Sequence, residues 1–406
     1  MSGTPLVHRR LLSRRQTLRA AMGASAAFAL SACADNKFDF GSFGSSSPTP
    51  PPAPAPGTGT EIGAGQVRVG LILPLSGQGG AGVGQSLKNA AEMALSDFKN
   101  PNIQLLVKDD GGTPQGAQAG AQAALNEGAE IVLGPLFAQS VRAVAQVTKP
   151  RNIPVIAFST DSSVASPGVY LLSFLPESDV RRIVEYAASR GRRSFAALVP
   201  ESAYGAVVQA AFQQDVPRHG GRVVVLEKYP LDPSKIAEPV HAVAQAAPQV
   251  DSLFIPDNAD SVVQLVQALA ADRVNLKRLQ LLGTGVWDDP HIFSTPALHG
   301  AWYPGPDPNG FRSFSAQYRQ RFGQDPVRAA TLSYDAVALV AALVKTQGPQ
   351  RFSEQVLTNS SGFSGKDGLF RFRSDGTNER GLAVLRVGPT GPQVISPAPH
   401  SFGTGA

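Results

Sequence analysis

The sequence has one cysteine, Cys33, among its 406 residues. A single cysteine excludes an internal disulfide and any metal site made of several cysteines. The six histidines are scattered, and the G-x-S-x-G, H-E-x-x-H and P-loop motifs are missing. These absences argue against hydrolase, metalloprotease and nucleotide-dependent chemistry. We therefore predict a non-enzymatic protein with no cofactor and no metal.

Once residues 1–32 are set aside, the chain has no excess of either charge. The formal net charge is +5, but five of the 36 basic residues lie in this segment, which leaves 31 against 31 acidic residues. A neutral remainder does not attract polyanions by its net charge. We therefore predict no nucleic-acid partner.

Residues 1–32 have the organisation of a signal peptide. The basic run SRRQTLR precedes the apolar run AAMGASAAFAL, which is too short to span a bilayer. SRRQTLR is similar to the twin-arginine export motif, but Thr17 stands where that motif usually has Phe, so twin-arginine and general secretion both stay open. LSAC, which ends at Cys33, looks like a bacterial lipobox. We predict that Cys33 is lipidated and anchors the protein in the periplasm to the inner or the outer membrane.

The segments on either side of the central region have the composition of unfolded chain. Residues 33–66 are dominated by Gly, Ser and Pro, which cannot bury a core, and they predict a disordered tether. Residues 391–406 are interpreted as a flexible tail.

Between them, short aliphatic runs such as VRVGLIL and IQLLVKD alternate with helical patterns. This alternation predicts an α/β fold with parallel sheets covered by helices. The strands are too numerous for one sheet, so we predict two doubly wound lobes within residues 67–390. The first lobe comprises 67–172 and a return segment, 305–350. The second comprises 173–300 and the C-terminal strands.

Gly77, Gly79 and Gly82 form a literal G-x-G-x-x-G. Three residues separate the preceding strand from the first glycine, whereas a dinucleotide fingerprint turns straight from strand to helix. The acidic residue should end the second strand about 20 residues on, and the nearest candidates there, Asp109 and Asp110, lie about 30 residues on. We predict a loop that passes close to another lobe or a ligand.

Seven segments resemble, in family order, the type I periplasmic binding proteins of the leucine/isoleucine/valine class. They are VRVGLILPLSGQGGAGVGQSLKNAAEMALSDF, LLVKDDGGTPQGAQAGAQAAL, VLGPLFAQS, IPVIAFSTDSS, ESAYGAVVQAAFQQDVPRHGGRVV, LSYDAVALVAAL and FSGKDGLFRFRSDG. The resemblance covers residues 67–388. It implies an extracytoplasmic protein whose two lobes close on an amino-acid-like or peptide-like ligand and deliver it to an ABC permease.

The resemblance also implies the residues that would bind the ligand. First-lobe loops of the family hold a carboxylate with hydroxyl and backbone N–H groups, and the matching residues are Gln139, Ser140, Ser159, Thr160 and Asp161. A tyrosine and an acid of the second lobe hold the ammonium. Their counterparts are Tyr204 and Asp257, with Asp288 as another candidate acid.

Several residues depart from the family pattern or allow a structural role. Ala138 or Gln139 stands where the family usually has Ser, and Asp161 stands where it has Thr, so that a ligand carboxylate would be repelled. Asp161 also fits a turn cap, Asp257 a helix cap, and Tyr204 an aromatic packed on the sheet. A related branch of the fold consists of lipoproteins that activate penicillin-binding peptidoglycan synthases, which is the alternative function.

Overall fold

The computed structural model describes residues 60–77 and 80–402. Residues 1–32, Cys33 and the tether up to residue 59 lie outside the described residues, so the predictions made for them stay predictions. The described chain has two lobes, each built on a largely parallel sheet with helices on its faces. The predicted α/β class with two doubly wound lobes is confirmed.

The first lobe follows the strand–helix alternation of the sequence. Its elements are β1 (Glu61–Ile62), β2 (Val67–Leu73), α1 (Ala81–Asp97), β3 (Ile103–Asp109), α2 (Pro114–Asn126), β4 (Ile131–Leu133), α3 (Ala138–Thr148), β5 (Val155–Ala157) and β6 (Val169–Leu171). The sheet order is β1-β3-β2-β4-β5-β6, with β1 antiparallel and the rest parallel. The parallel strands are mostly buried, because helices cover both faces.

The second lobe repeats this pattern. Its elements are α4 (Pro176–Ser189), β7 (Ser194–Pro200), α5 (Ala203–Arg218), β8 (Arg222–Tyr229), α6 (Ala237–Ala246), β9 (Ser252–Phe254), α7 (Ala259–Ala271), β10 (Gln280–Leu282), α8 (Pro290–Phe293), β11 (Trp302–Gly305), β15 (Ala383–Gly388) and β16 (Gly391–Ser396). The sheet order is β16-β15-β11-β10-β9-β7-β8, in which β15 runs antiparallel to both of its neighbours, β11 and β16.

Between β11 and β15 the chain returns to the first lobe. This segment forms α9 (Pro308–Phe322), α10 (Ala330–Thr346), α11 (Glu354–Leu357), β12 (Phe363–Gly365), β13 (Gly368–Phe372) and β14 (Asn378–Arg380). Phe370 and Phe372 join the core that α1 and α10 form with the first sheet. The assignment of the C-terminal strands to the second lobe is therefore wrong for β12–β14 and holds for β15 and β16, because the apolar side of the small sheet packs on the first lobe.

Both ends of the central region extend further than the sequence patterns indicated. Residues 391–396, interpreted as flexible tail, form β16, which pairs with β15 through a two-residue turn between Gly388 and Gly391. Gly391 has φ +117°, a conformation that favours glycine and lets the chain reverse tightly. At the other end, Glu61 and Ile62 of the predicted tether pair with β3.

The described chain passes between the lobes three times, at residues 172–175, 306–307 and 381–382. The first crossing starts where β6 ends and leads into α4. The second starts where β11 ends. Parallel strands end on one side of their sheet, which we call its carboxyl end, so these crossings bring the carboxyl ends of the two sheets to face each other.

The glycine-rich segment serves chain packing. A side chain at Gly84, in the second turn of α1, would place its Cβ 2.0 Å from the Pro74 carbonyl oxygen, whereas Gly82 has no neighbour within 4 Å. At Gly77, where φ is +85°, a Cβ would lie 2.7 Å from the Gly111 carbonyl oxygen. The glycines thus allow the loop after β2 to lie directly against α1 and the loop after β3.

No helix among the described residues combines the length and the apolar character needed to cross a membrane.

Candidate functional site

The loops at the carboxyl ends of the two sheets carry the residues predicted to bind a ligand. Ligands of open parallel sheets bind outside this end of the strands, where helix N-termini and loop side chains converge. Two of the three chain crossings also begin there. The polar groups of these loops therefore form the candidate site.

Ser140 and Gln139 lie in the first turn of α3. Gln139 is exposed, whereas Ser140 is fully buried and its hydroxyl has no hydrogen-bond partner among the described residues. Phe137 occupies the N-cap position and provides no side-chain cap. The first backbone N–H groups of α3 therefore have no capping oxygen, which is a favourable arrangement for a negatively charged ligand group.

Ser159, Thr160 and Asp161 follow β5. Ser159 is buried and its hydroxyl accepts a hydrogen bond from the Asp161 backbone N–H at 3.2 Å, whereas Thr160 is exposed. Asp161 accepts from the Ser163 backbone N–H at 2.9 Å, and its other carboxylate oxygen lies 3.6 Å from Arg142 Nη2. Hydrogen bonds from Ser163, with the nearby Arg142, hold the pKa of Asp161 below its usual range. Asp161 therefore caps the turn at Ser163 and is charged at neutral pH.

Tyr204 lies at the start of α5 and Asp257 follows β9. The Tyr204 hydroxyl is 2.7 Å from the hydroxyl of buried Thr284, which follows β10. Asp257 is only 9% exposed and accepts hydrogen bonds from the Tyr229 hydroxyl and, at 2.7 Å, from the Asn258 backbone N–H. Asn258 is itself the N-cap of α7. Asp257 is therefore bound into the site wall and is not the helix cap.

Asp288, the other candidate acid of the second lobe, accepts a hydrogen bond from Tyr303 at 3.1 Å, and burial raises its pKa. The aromatic residues beside it belong to the core: Trp287 and Tyr303 are fully buried. No group of three or more potential metal ligands occurs among the described residues.

Glu177 and Asp179 were not identified from the sequence, yet both lie at the site. Asp179 accepts a hydrogen bond from the Gly285 backbone N–H at 2.8 Å. Glu177 accepts one from the Ser162 hydroxyl at 2.5 Å, which joins the second lobe to the first. Burial raises the pKa of Asp179 to about 7. From the sequence, acids just after Pro176 indicate only an ordinary helix start.

These contacts form one connected polar wall on the second lobe. Tyr229 and Asp257 form one end. Tyr204 and Thr284 occupy the middle. Gly285, which follows Thr284, donates its backbone N–H to Asp179 at the other end. The wall, which we define as Glu177, Asp179, Tyr204, Tyr229, Asp257 and Thr284, offers carboxylate, phenol and hydroxyl groups. Such groups can bind and orient a small polar molecule, and none of them is arranged as a nucleophile with its base.

Known proteins resemble this chain in sequence and in fold. The family model of the periplasmic binding proteins matches residues 66–392. The fold resembles that of a putative branched-chain amino acid ABC transporter protein from Rhodospirillum rubrum, with a TM-score of 0.73 and 21% identity over 81% of this chain and 99% of that one.

Among curated proteins, the uncharacterized protein RP748 of Rickettsia prowazekii is 22% identical over 41% of this chain. The penicillin-binding protein activator LpoA of Pantoea ananatis is 30% identical over 32% of it. The alignments span 44% of the first relative and 18% of the second, so the chain matches only part of each. The family model covers most of the chain, and the resemblance noted from the sequence is confirmed. The chain belongs to the periplasmic binding protein family, whose members are non-enzymatic binding proteins.

Proposed function

We propose that this chain is a solute-binding protein that captures an amino-acid-like or peptide-like ligand and delivers it to an ABC permease. One observation carries the proposal. Polar residues of both lobes, with Ser140 and Ser159 on one side and Tyr204 and Asp257 on the other, lie at the facing carboxyl ends of the two sheets.

Capture would proceed by closure of the lobes about the three crossings. Short connections between elements can absorb the backbone rotation, whereas the two sheets move as rigid bodies. A ligand favours the closed form only to the extent that it contacts both lobes. First-lobe donors in α3 and in the loop after β5 would hold its acidic end, and the polar wall would hold its basic end.

The proposal also places the protein outside the cytoplasm. Residues 1–32 would direct export, Cys33 would carry the lipid, and the segment up to residue 66 would hold the binding domain away from the inner or the outer membrane. Mass spectrometry of the membrane-associated protein tests this directly. A diacylated N-terminal peptide beginning at Cys33 supports the anchor, and an unmodified N-terminus at another residue contradicts it.

Thermal unfolding of the purified protein against amino acids, short peptides and cell-wall fragments tests the ligand. A compound well above its dissociation constant raises the melting temperature by mass action, by several degrees for a domain of this size. A shift confined to one chemical class supports capture. Trimming Tyr204→Ala should then abolish the shift, while Tyr318→Phe, which loses only a hydroxyl contact with Asn89 in the first-lobe core, should preserve it.

A second function is favoured by the curated relatives and by Asp161. Several relatives carry the name penicillin-binding protein activator LpoA. Asp161, where the resemblance expects Thr, is charged and would repel a ligand carboxylate. In this alternative, the same fold binds a peptidoglycan synthase. Direct binding to a purified penicillin-binding synthase, together with a rise in its polymerising or cross-linking rate, supports it. Absence of both, with a ligand found in the thermal panel, contradicts it.

A further inference from the structure

The polar wall of the second lobe contains three carboxylates, those of Glu177, Asp179 and Asp257, that have no ion-pair partner among the described residues. Some acids near the site only cap turns: Asp232 accepts from Ser234 N–H and Asp289 from His291 N–H, within their own loops. Capping acids are a general feature of helix N-termini and indicate no ligand. Glu177 and Asp179 lie in the first turn of α4, but they accept hydrogen bonds from Ser162 and Gly285, outside that helix, and Asp257 is not an N-cap either.

Within residues 60–77 and 80–402, these three carboxylates lack a direct ion-pair partner. None of them makes a salt bridge to a Lys, Arg or His in the described part of the chain. The guanidinium of Arg142 pairs with Asp161 at 3.6 Å. Arg380 is 6% exposed, donates to the Ser173 carbonyl at 3.0 Å and lies over the Phe174 ring. Its single charge acts on Asp179 but is shared with Asp335 and Asp367, so it does not offset the three carboxylates of the wall.

One oxygen of the wall lacks a partner altogether. Glu177 Oε1 accepts from Ser162, but Oε2 is buried and has no hydrogen-bond donor among the described residues. A buried carboxylate oxygen without a donor is costly. Asp179 indicates the same deficit, since burial has raised its pKa to about 7 and only one backbone N–H donates to it. The carboxylates of Glu177 and Asp179 therefore each have room for a further N–H donor, which a positively charged ligand would provide.

Two phenol rings complete the arrangement. The Tyr229 hydroxyl donates to Asp257. Burial raises the pKa of Tyr204, and the nearby charges of Asp179 and Asp257 raise it further. Tyrosine rings beside carboxylates are a recurring environment for ammonium and guanidinium groups, which are attracted to both.

We propose that the site takes a ligand whose amino or guanidino cations outnumber its carboxylates, such as a basic amino acid, a peptide that contains one, or a diamine. This inference rests on the proposed capture of a solute and specifies the class of that solute. It differs from what a branched-chain amino acid site would require, because a neutral zwitterion provides one cation for three carboxylates.

Calorimetry and thermal unfolding with five compounds test the proposal: L-arginine, putrescine, L-leucine, L-glutamate and benzoate. We expect L-arginine and putrescine to bind and raise the melting temperature, and the other three to have no effect at the same millimolar concentration. A response to L-arginine alone means that the first-lobe donors also hold a carboxylate. A response to putrescine as well means that positively charged groups alone are enough for binding.

Isosteric variants locate the binding. Asp257→Asn and Glu177→Gln keep the shape of the wall and remove one charge each, and each should weaken binding by roughly tenfold or more. Asp272→Asn is the matched control, since Asp272 pairs with the exposed His241 away from the wall. The melting temperature without ligand shows whether each variant is folded. Equal weakening in the control would overturn the assignment to the wall.

The outcomes separate this inference from the proposed function. If L-leucine or benzoate binds and the cations do not, the ligand class is wrong while solute capture stands. If none of the five binds, the cationic class is also wrong, and the wider panel of neutral peptides and cell-wall fragments decides solute capture independently.

Discussion

The Ser162 hydroxyl donates a hydrogen bond to the Glu177 carboxylate at 2.5 Å and thereby joins the two lobes beside the first crossing. Ser162 belongs to a short turn after β5, and Glu177 belongs to the first turn of α4. The contact links the predicted carboxylate-binding loop of one lobe to the polar wall of the other. A ligand bound between the lobes would therefore lie beside the Ser162–Glu177 hydrogen bond, which already connects the two lobes.

Ser162→Ala should lower the free energy of unfolding by about 1 to 2 kcal/mol, because a partly buried carboxylate loses a hydroxyl donor. Urea denaturation measures this loss. Ser294→Ala is the control, since Ser294 donates only to the carbonyl of His291 in an exposed turn. An equal loss in the two variants would mean that the contact with Glu177 contributes nothing specific.

Two glycines of one helix should respond to alanine with opposite signs. Gly84→Ala places a Cβ 2.0 Å from the Pro74 carbonyl oxygen, so either α1 or the loop after β2 must shift. We expect this overpacking to cost about 1 to 3 kcal/mol. Gly82 is exposed with open space around it, and Gly82→Ala should stabilise the protein by about 0.5 to 1 kcal/mol through helix propensity.

Thermal melts of the two single variants check this pair, and each serves as the other's control. If Gly82→Ala were as damaging as Gly84→Ala, the glycine-rich segment would have a role other than close packing.

Asp335 should make the protein less stable as the pH rises. It is 2% exposed in α10, and one carboxylate oxygen accepts from the Lys366 backbone N–H at 2.7 Å while the other has no partner among the described residues. Burial raises its pKa from 3.8 to about 7, against the opposing charges of Arg380 and Lys366.

The folded state therefore holds this proton more tightly than the unfolded state does. Its contribution to stability is complete below about pH 4 and is lost as the pH rises to about 7, a change on the order of 4 kcal/mol. Asp335→Asn removes the titration. Urea denaturation at about pH 5 and about pH 8 should show wild type losing stability relative to this variant. Asp325→Asn, an exposed variant that keeps Asp335, should lose stability with pH as wild type does. A difference independent of pH contradicts the prediction.

Much of the fold follows from local patterns. The runs at Val67–Leu73 and Ile103–Asp109 are predicted to the residue, because a buried parallel strand is rich in aliphatic residues. The pattern does not reveal β11, whose sequence WYPG contains two residues that disfavour strands. Here the strand exists because β10 and β15 pair with it from both sides, which is tertiary information.

The site was only partly predictable for the same reason. Tyr204 and Asp257 follow strands of the second lobe, so the alternation of strands and helices indicates their place. Asp179 lies in the first turn of a helix, where acids are common, and its role depends on Gly285, which is 106 positions away in sequence. A contact that distant is formed by the fold and leaves no local signal.

If the ligand is cationic, its affinity should rise with pH through about 7. Asp179 is the group responsible, because burial raises its pKa to about 7 and a cation binds the ionised form. The groups that face it are Glu177 on its own helix, the Gly285 N–H, Arg380 from β14, and Tyr204. Of these, Glu177 favours the protonated form of Asp179, whereas Arg380 and the N–H favour the ionised form.

Putrescine is the suitable probe, since both of its amines stay charged over this range and the protein alone changes. Its association constant should increase by up to roughly tenfold between about pH 6 and about pH 8, with release of up to one proton on binding. Calorimetry in two buffers of different ionisation enthalpy measures that proton. In Asp179→Asn the pH dependence and the proton release should both disappear, whereas Asp272→Asn should retain them. An affinity that stays constant or falls with rising pH would mean that Asp179 does not face the ligand, and the cation would then lie nearer to Asp257 and Tyr229.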